Sequence, residues 1–138
     1  MEKNRITVKT TIPSPTEKVW EYYTEPKHIT NWNFASNDWC CPAATNNLQK
    51  DGDFNYRMEA KDGSMGFDFS GKYTKVIPMK LIAYNLADGR TVEVIFSNHG
   101  NEVEISQTFE TEGTHTVEQQ KNGWQAILNN FKTYVSSK

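Results

Sequence analysis

The stretch that decides the fold is "HTVEQQKNGWQAILNNFKTYV", residues 115–135. Its apolar side chains recur every three or four residues, with Gln120 at an equivalent position: Val117, Trp124, Ile127, Leu128, Phe131 and Val135. This spacing predicts an amphipathic helix of about 20 residues, roughly 30 Å long. The helix should begin between Thr114 and Thr116, where Thr116 and Gln119 fit a capping box. Its wide apolar stripe needs an apolar surface to cover.

The chain before this helix supplies that surface in segments that alternate apolar and polar residues. A period of two with one polar face predicts antiparallel strands, apolar on the inner face and wet on the outer face. The dipeptide "DG" at 88–89 marks a hairpin turn between two of them. Strands are therefore expected over 5–12, 54–60, 67–74, 81–86, 92–97 and 103–110.

A helix is predicted from "SPTE", residues 14–17. Ser14 would cap it, Pro15 would take the first helical position, and Glu17 would complete a capping box. The helix should run to about Tyr23 and stop before Pro26, with a short helical turn near 27–32. The stretch "TNWNFASNDWCCPAAT", residues 30–45, is then expected to be a loop rich in tryptophan.

Length and composition limit the classes of function that the chain can have. A chain of 138 residues predicts one domain, 1–138, and a net charge of −2 argues against a nucleic-acid partner. The sequence has no apolar run of membrane-spanning length, and its start, "MEKNRITVKT", lacks the apolar core of a signal peptide. Two cysteines without a secretory signal are typical of a cytoplasmic protein with free thiols.

The adjacent cysteines Cys40 and Cys41 do not predict a metal or redox site. Neighbouring Cα atoms lie about 3.8 Å apart, which is shorter than the span of an unstrained disulfide. A structural zinc site usually takes four ligands. The chain has no second cysteine pair, and the nearby His28 would add only one ligand. We therefore expect the two thiols to pack the loop, and we predict no metal and no cofactor.

The aromatic residues, 12% of the chain, mostly fall on the predicted inner face. Gly123 lies inside the long helix, where glycine costs about 1 kcal/mol relative to alanine, so its presence points to a need for space. Gln107 is the polar exception on its strand's inner face. Because a buried amide needs partners, it should bond Gln120 or a tyrosine hydroxyl, or else face water or a ligand.

Three phrases carry a family resemblance: "SPTEKVWEYYTEPKHITNW" (14–32), "GFDFSGKYTKVIP" (66–78) and "QKNGWQAILNNFKTYV" (120–135). The chain resembles bacterial proteins related to the activator of Hsp90 ATPase (AHSA1-like), within the START/Bet v 1-like helix-grip superfamily. The resemblance implies an α+β fold of order β-α-α-β6-α, in which a curved antiparallel sheet wraps around the long C-terminal helix with an internal cavity.

The chain departs from the family pattern at three places. Only Gly52 remains of a pair of glycines, Gln107 stands where a glutamate is expected, and Cys40 stands where a histidine is expected. The last two departures replace a titratable or more basic group, which weakens any acid–base role there.

We predict that the cavity binds a small hydrophobic or amphipathic molecule, with the tryptophan-rich loop at its mouth. The expected ligand-binding residues are Trp32, Phe34, Trp39, Tyr56, Met58, Phe69, Tyr73, Tyr84, Phe96, Gln107, Gln120 and Trp124.

Two alternatives remain open. A chaperone-associated interaction module would need an exposed apolar patch, whereas the predicted outer face is almost entirely polar. A polyketide cyclase-like enzyme would need an inward acid, base or nucleophile, such as His28 or Asp68 facing the cavity. The alternation places no such group there, so no catalytic residue is predicted and an enzyme is the less expected outcome.

Overall fold

A computed structural model describes residues 5–113 and 115–138 of the chain. The elements follow in the order β1 (Arg5–Ile12), α1 (Thr16–Thr24), α2 (Pro26–Ile29), β2 (Trp39–Asn46), β3 (Asp53–Ala60), β4 (Gly66–Ile77), β5 (Leu81–Leu86), β6 (Thr91–Asn98), β7 (Val103–Glu110) and α3 (Val117–Ser136). This is the β-α-α-β6-α order that the resemblance implies, and the predicted fold class is confirmed.

The seven strands form one antiparallel sheet in the order β1-β7-β6-β5-β4-β3-β2. Strands β2 to β7 follow one another as hairpins, and β1 pairs with β7, where Val8 lies opposite Gln107. The sheet curls into a half-barrel that holds α3 on its concave side. None of the helices in the described part of the chain is both long and apolar enough to cross a membrane.

The inner face of β5, β6 and β7 is buried as the alternation predicts. Phe109 of β7 stacks on Trp124 of α3 with ring centroids 4.3 Å apart, and Phe131 of α3 is fully buried. Burying one such side chain stabilises the fold by about 1.5–3 kcal/mol. The predicted inward residues of the last three strands are all buried: Ile82, Tyr84, Leu86, Val92, Val94, Phe96, Val103, Ile105, Gln107 and Phe109.

Strand β2 corrects the prediction of a loop over 30–45. Trp39, Cys40 and Cys41 lie in this edge strand, which pairs with β3. Its register shifts between Cys40 and Ala43, so Pro42 sits at an irregularity of the edge, where a residue without an N–H is tolerated. The irregularity interrupts the alternation, and the sequence pattern therefore hides the strand.

The two long helices begin differently. In α1, Pro15 occupies the N-cap position with no side-chain cap, so the predicted cap at Ser14 and the capping box with Glu17 are wrong. The carbonyl of Pro15 accepts the first intrahelical bond, from Val19, which places the helix start one residue later than expected. In α3 the predicted box of Thr116 and Gln119 is present. Thr114, the other predicted start, lies outside the described residues.

The outer face of the sheet is less polar than predicted. Ile95 of β6 lies opposite Leu81 of β5, which lies opposite Ile77 of β4. Ile77 and Ile95 are 37% and 40% exposed, so these three residues form an apolar ladder facing solvent. The alternating pattern does not reveal this ladder, because the ladder includes only one residue from each strand.

Candidate functional site

A pocket of about 420 Å³ lies among the inner face of the sheet, the end of α1, the segment after α2 and the first half of α3. We call it the central pocket. Its walls are mostly apolar and aromatic. They are formed by Tyr23, Thr24, Trp32, Asn33, Ala35, Asn46, Phe54, Tyr56, Met58, Phe67, Phe69, Tyr73, Ile82, Tyr84, Arg90, Gln107, Glu112, His115, Gln119, Gln120, Gly123, Trp124 and Ile127.

Most of the predicted ligand-binding residues lie on these walls. The ones that line the central pocket are Trp32, Tyr56, Met58, Phe69, Tyr73, Tyr84, Gln107, Gln120 and Trp124. Trp124 contacts Phe69 across the pocket with ring centroids 6.0 Å apart, which brings α3 opposite β4. The period-two pattern therefore located the wall of the pocket, while a ligand role for these residues stays a prediction.

Three predicted residues lie elsewhere. Phe96 is buried behind α1, in edge contact with Trp20 and Tyr23. The carbonyl of Phe34 accepts a hydrogen bond from the side-chain amide of Asn130, which ties the segment after α2 to α3. Trp39 lies in β2 with its ring beside Phe67, at 5.9 Å. These three do not line the central pocket.

A first polar group of the pocket joins β7 to α1. The side-chain amide of Gln107 donates a hydrogen bond of 2.5 Å to the hydroxyl of Tyr23. Of the partners that the sequence left open for Gln107, the structure has a tyrosine hydroxyl. Gln120 instead bonds the backbone of Glu112 and His115 at the start of α3. Burial raises the pKa of Tyr23 well above its usual range, so its hydroxyl stays neutral.

A second polar group runs along β2 to β4. Burial, together with the neighbouring Tyr73, raises the pKa of Tyr56 well above its usual range. Tyr73 donates to Oδ1 of Asn46 at 2.5 Å, and Nδ2 of Asn46 donates to the carbonyl of Thr24 at 2.7 Å. Burial raises the pKa of Tyr73 to about 12. The chain of bonds ends on α1, so it also fixes the helix end that borders the pocket.

Tyr84 completes the set of hydroxyls and differs from the others. Its side chain is 8% exposed and lines the pocket, yet no residue of the described ranges forms a hydrogen bond with its hydroxyl. Burial raises its pKa well above the usual range, and the electrostatic influence of Tyr23 acts in the same direction. Among the described residues, Tyr84 therefore offers the central pocket a neutral hydroxyl that is not already hydrogen-bonded.

Several wall residues were not predicted from the sequence. Phe67 lies in a predicted strand but was not assigned to the site, and Arg90 was not assigned to any site. Arg90 lies two residues before the inward Val92. A period of two therefore places its side chain on the same inner face, and this was the signal that the sequence offered. Nε of Arg90 donates to Asp88 at 2.7 Å.

Two acidic residues near the end of β7, Glu110 and Glu112, follow the strand's outward positions in the sequence and would be expected in solvent, but the structure holds both by hydrogen bonds. Glu110 is buried, and its Oε1 accepts hydrogen bonds from the N–H and hydroxyl of Thr91. Glu112 lines the pocket, and its Oε1 accepts from the backbone N–H of His115 at 2.6 Å. Their positions depend on how the chain turns from β7 into α3, which no local pattern reveals.

Of the groups that could have favoured an enzyme, His28 and Asp68 do not line the central pocket. His28 is not a wall residue, and its Nδ1 lies 2.7 Å from the hydroxyl of Tyr134. Asp68 points outward, 3.6 Å from Nη1 of Arg57. The thiol of Cys41 is buried, and its burial raises its pKa, which makes it less reactive.

Comparison with known proteins places the chain among a group of bacterial structures. Residues 13–136 match the family described as Activator of Hsp90 ATPase homolog 1-like protein. The structure is similar to that of an AHSA1-like protein from Aeromonas hydrophila, with 39% identity, a TM-score of 0.91, and coverage of 97% of this chain and 93% of that chain. A protein from Cytophaga hutchinsonii is 47% identical, with a TM-score of 0.84 and coverage of 96% and 92%.

More distant structures share the fold alone. A protein from Chromobacterium violaceum is 18% identical, with a TM-score of 0.85 over 96% of this chain and 98% of that chain. A comparison with curated protein sequences finds no match.

Proposed function

The chain belongs to the Activator of Hsp90 ATPase homolog 1-like family, and from this premise and its central pocket we propose that it binds one small, uncharged amphipathic molecule. The volume of about 420 Å³ falls within the range of about 300–1,000 Å³ that is typical of small-molecule sites. Aromatic walls with a few polar groups suit a ligand that is apolar over most of its surface.

The hydroxyl of Tyr84, which bonds no residue of the described ranges, is the observation that carries the proposal. The side chain lines the pocket, where water or a ligand can supply a hydrogen bond. Nothing in the packing of the described residues requires a tyrosine there, because phenylalanine would fill the same space. A ligand with an acceptor oxygen would satisfy this hydroxyl.

The charges on the wall support an uncharged ligand. The hydroxyls of Tyr23, Tyr73 and Tyr84 stay protonated at neutral pH, because burial raises the pKa of each. The guanidinium of Arg90 is already paired with Asp88, and Glu112 adds a carboxylate to the wall. An anionic group would have to compete with these carboxylates, whereas a hydroxyl or carbonyl group would not.

An NMR titration with 1-aminoanthracene, a neutral fused-ring probe, tests the proposal. We expect saturable shifts of the indole N–H of Trp124 and the side-chain amide of Gln107. The side-chain amide of Gln125, which bonds Lys9 and Asn129 outside the pocket, serves as the matched control and should not shift. Shifts confined to surface residues, or no shifts at all, would reject the pocket as a binding site.

A chaperone-associated interaction module is the second candidate. Met65 and Phe67, on the hairpin between β3 and β4, are 66% and 49% exposed, and the ring of Trp39 lies beside Phe67. Exposed apolar side chains of this kind can contact another protein. Retention of purified Hsp90 by the immobilised protein, lost in a Met65→Ser, Phe67→Ser variant, would favour this candidate. The cytoplasmic location stays a prediction that fits both candidates.

A further inference from the structure

A cluster of two glutamates and one histidine lies outside the central pocket, where α1 meets α2. Glu21 and Glu25 lie four residues apart, on the same side of α1 and at its end. Pro26 opens α2, and the turn of the chain there brings His28 back to Glu21, with Nε2 and Oε2 3.6 Å apart. One ligating atom from each of the three residues lies within 4.8 Å of the other two.

The sequence predicted no metal site, but from this arrangement we propose that Glu21, Glu25 and His28 bind a divalent transition-metal ion, with Zn²⁺ as the reference case. An imidazole with two carboxylates suits zinc, nickel, cobalt or manganese, whereas calcium and magnesium prefer oxygen ligands alone. Ligands of a tetrahedral zinc ion lie roughly 3.4 Å apart, so the site must contract on binding. Glu21 is half-exposed, and its flexible side chain can make this movement.

The setting of His28 is the independent observation that supports a metal ligand. Its ring stacks on Tyr22 with centroids 4.0 Å apart, and its Nδ1 bonds the hydroxyl of Tyr134 from α3. The ring is therefore held from outside the cluster, with Nε2 directed at Glu21. A ligating histidine usually has such a partner on its other nitrogen, because that bond sets the tautomer and the ring orientation.

The surrounding charges set the strength of the site. Nζ of Lys27 lies 3.4 Å from Oε2 of Glu25, so this ammonium group competes with the ion for one carboxylate. The ammonium groups of Lys18 and Lys138 lie over the rings of Tyr22 and Tyr134, at 5.7 and 5.0 Å from the ring centroids. Removal of the Lys27 charge should strengthen metal binding, which a general disturbance of the fold would not do.

The site borders the central pocket without belonging to it. Tyr23 and Thr24 line the pocket and lie between Glu21 and Glu25 in sequence. An ion that holds the α1–α2 corner would therefore also hold this part of the wall. The proposal does not depend on the ligand proposed for the pocket.

Calorimetric titration of the full-length protein with Zn²⁺ tests the proposal. We expect one ion per chain, affinity at least about tenfold weaker in His28→Gln and in Glu21→Gln, and a loss of about tenfold or more in Tyr134→Phe. Lys27→Met should bind more tightly. His115→Gln, which removes a histidine paired with Glu112 elsewhere, is the matched control and should bind as the wild type does.

A second measurement distinguishes Zn²⁺ binding at this site from Zn²⁺ binding at the thiols of Cys40 and Cys41. Zn²⁺ should shift the imidazole carbon-bound proton resonances of His28 in the NMR spectrum of the wild-type protein. Equal affinity of the wild type and His28→Gln would overturn the proposal, as would the absence of a saturable one-to-one titration. Circular dichroism of each variant establishes that a loss of binding is not a loss of folding.

Discussion

The side-chain amide of Gln107 and the hydroxyl of Tyr23 are joined by a hydrogen bond of 2.5 Å that links β7 to α1 across the wall of the central pocket. The two residues are 84 positions apart in the sequence. Gln107 is buried and Tyr23 is half-buried, and the bond leaves the hydroxyl proton of Tyr23 free to be donated elsewhere. This interaction ties α1 to β7 and contributes one of the polar groups of the pocket.

A double-mutant cycle measures this bond. Gln107→Leu should lower the free energy of unfolding by about 1–2 kcal/mol, since the Tyr23 hydroxyl loses its partner. In a Tyr23→Phe background the same change should cost less, because no hydroxyl remains to be satisfied. We expect a coupling energy of about 0.5–1.5 kcal/mol from urea denaturation. Additive effects of the two substitutions would contradict the bond.

The buried hydroxyl of Tyr73 predicts a loss of stability at alkaline pH. Its pKa is about 12 in the folded protein against 10.0 for a free tyrosine, so the folded state holds its proton more tightly. The stabilisation is complete below pH 10 and is lost as the pH rises through 12. By pH 11 this effect should lower the free energy of unfolding by about 1 kcal/mol.

The test compares wild type and Tyr73→Phe in urea at pH 8 to 11. The wild type should lose stability more steeply with pH, since the variant lacks this hydroxyl. The absorbance of tyrosinate gives the titration directly, and the wild type should show one more tyrosine that resists ionisation than the variant does. Parallel pH profiles for the two proteins would refute the assignment.

Gly123 predicts a gain in stability from a small change. It lies inside α3 on the pocket wall, and a Cβ added there meets no atom within 4 Å. Gly123→Ala should therefore stabilise the protein by up to about 1 kcal/mol, which is the difference in helix propensity. Thermal unfolding measures the change, with Gln125→Ala on the same helix as a control for surface effects. A decrease in melting temperature would show that the wall has no free space at Gly123.

The sequence predicted the inner face of the sheet because burial on one face imposes a period of two. Residues such as Tyr84 and Gln107 follow from that period, as does the apolar stripe of α3. Strand β2 could not be predicted in this way, because an edge strand with an irregularity at Pro42 has no clean alternation. Six of its eight residues pair with β3 through the backbone, and backbone pairing leaves little trace in the pattern of side chains.

The composition of the central pocket was predictable only in part. Tyr56, Phe69 and Trp124 line it because they point inward from regular elements. Glu112 and His115 line it because the chain turns there from β7 into α3, a tertiary event with no local signal. Trp39 and Phe96 were wrongly predicted to line the pocket. The sequence shows that they are aromatic, but it does not show which elements of the fold pack against each ring.

Native mass spectrometry tests the central claim, that the pocket holds a small uncharged molecule. The wild type, the control Gly123→Ala and the pocket-filling Gly123→Phe are each incubated with 1-aminoanthracene, and their native and denatured masses are compared. We predict one probe molecule per chain for the wild type and the alanine variant, lost on denaturation, and none for the phenylalanine variant, whose folding is checked by circular dichroism. A bare wild-type mass, or equal retention by a folded Gly123→Phe, would contradict the account.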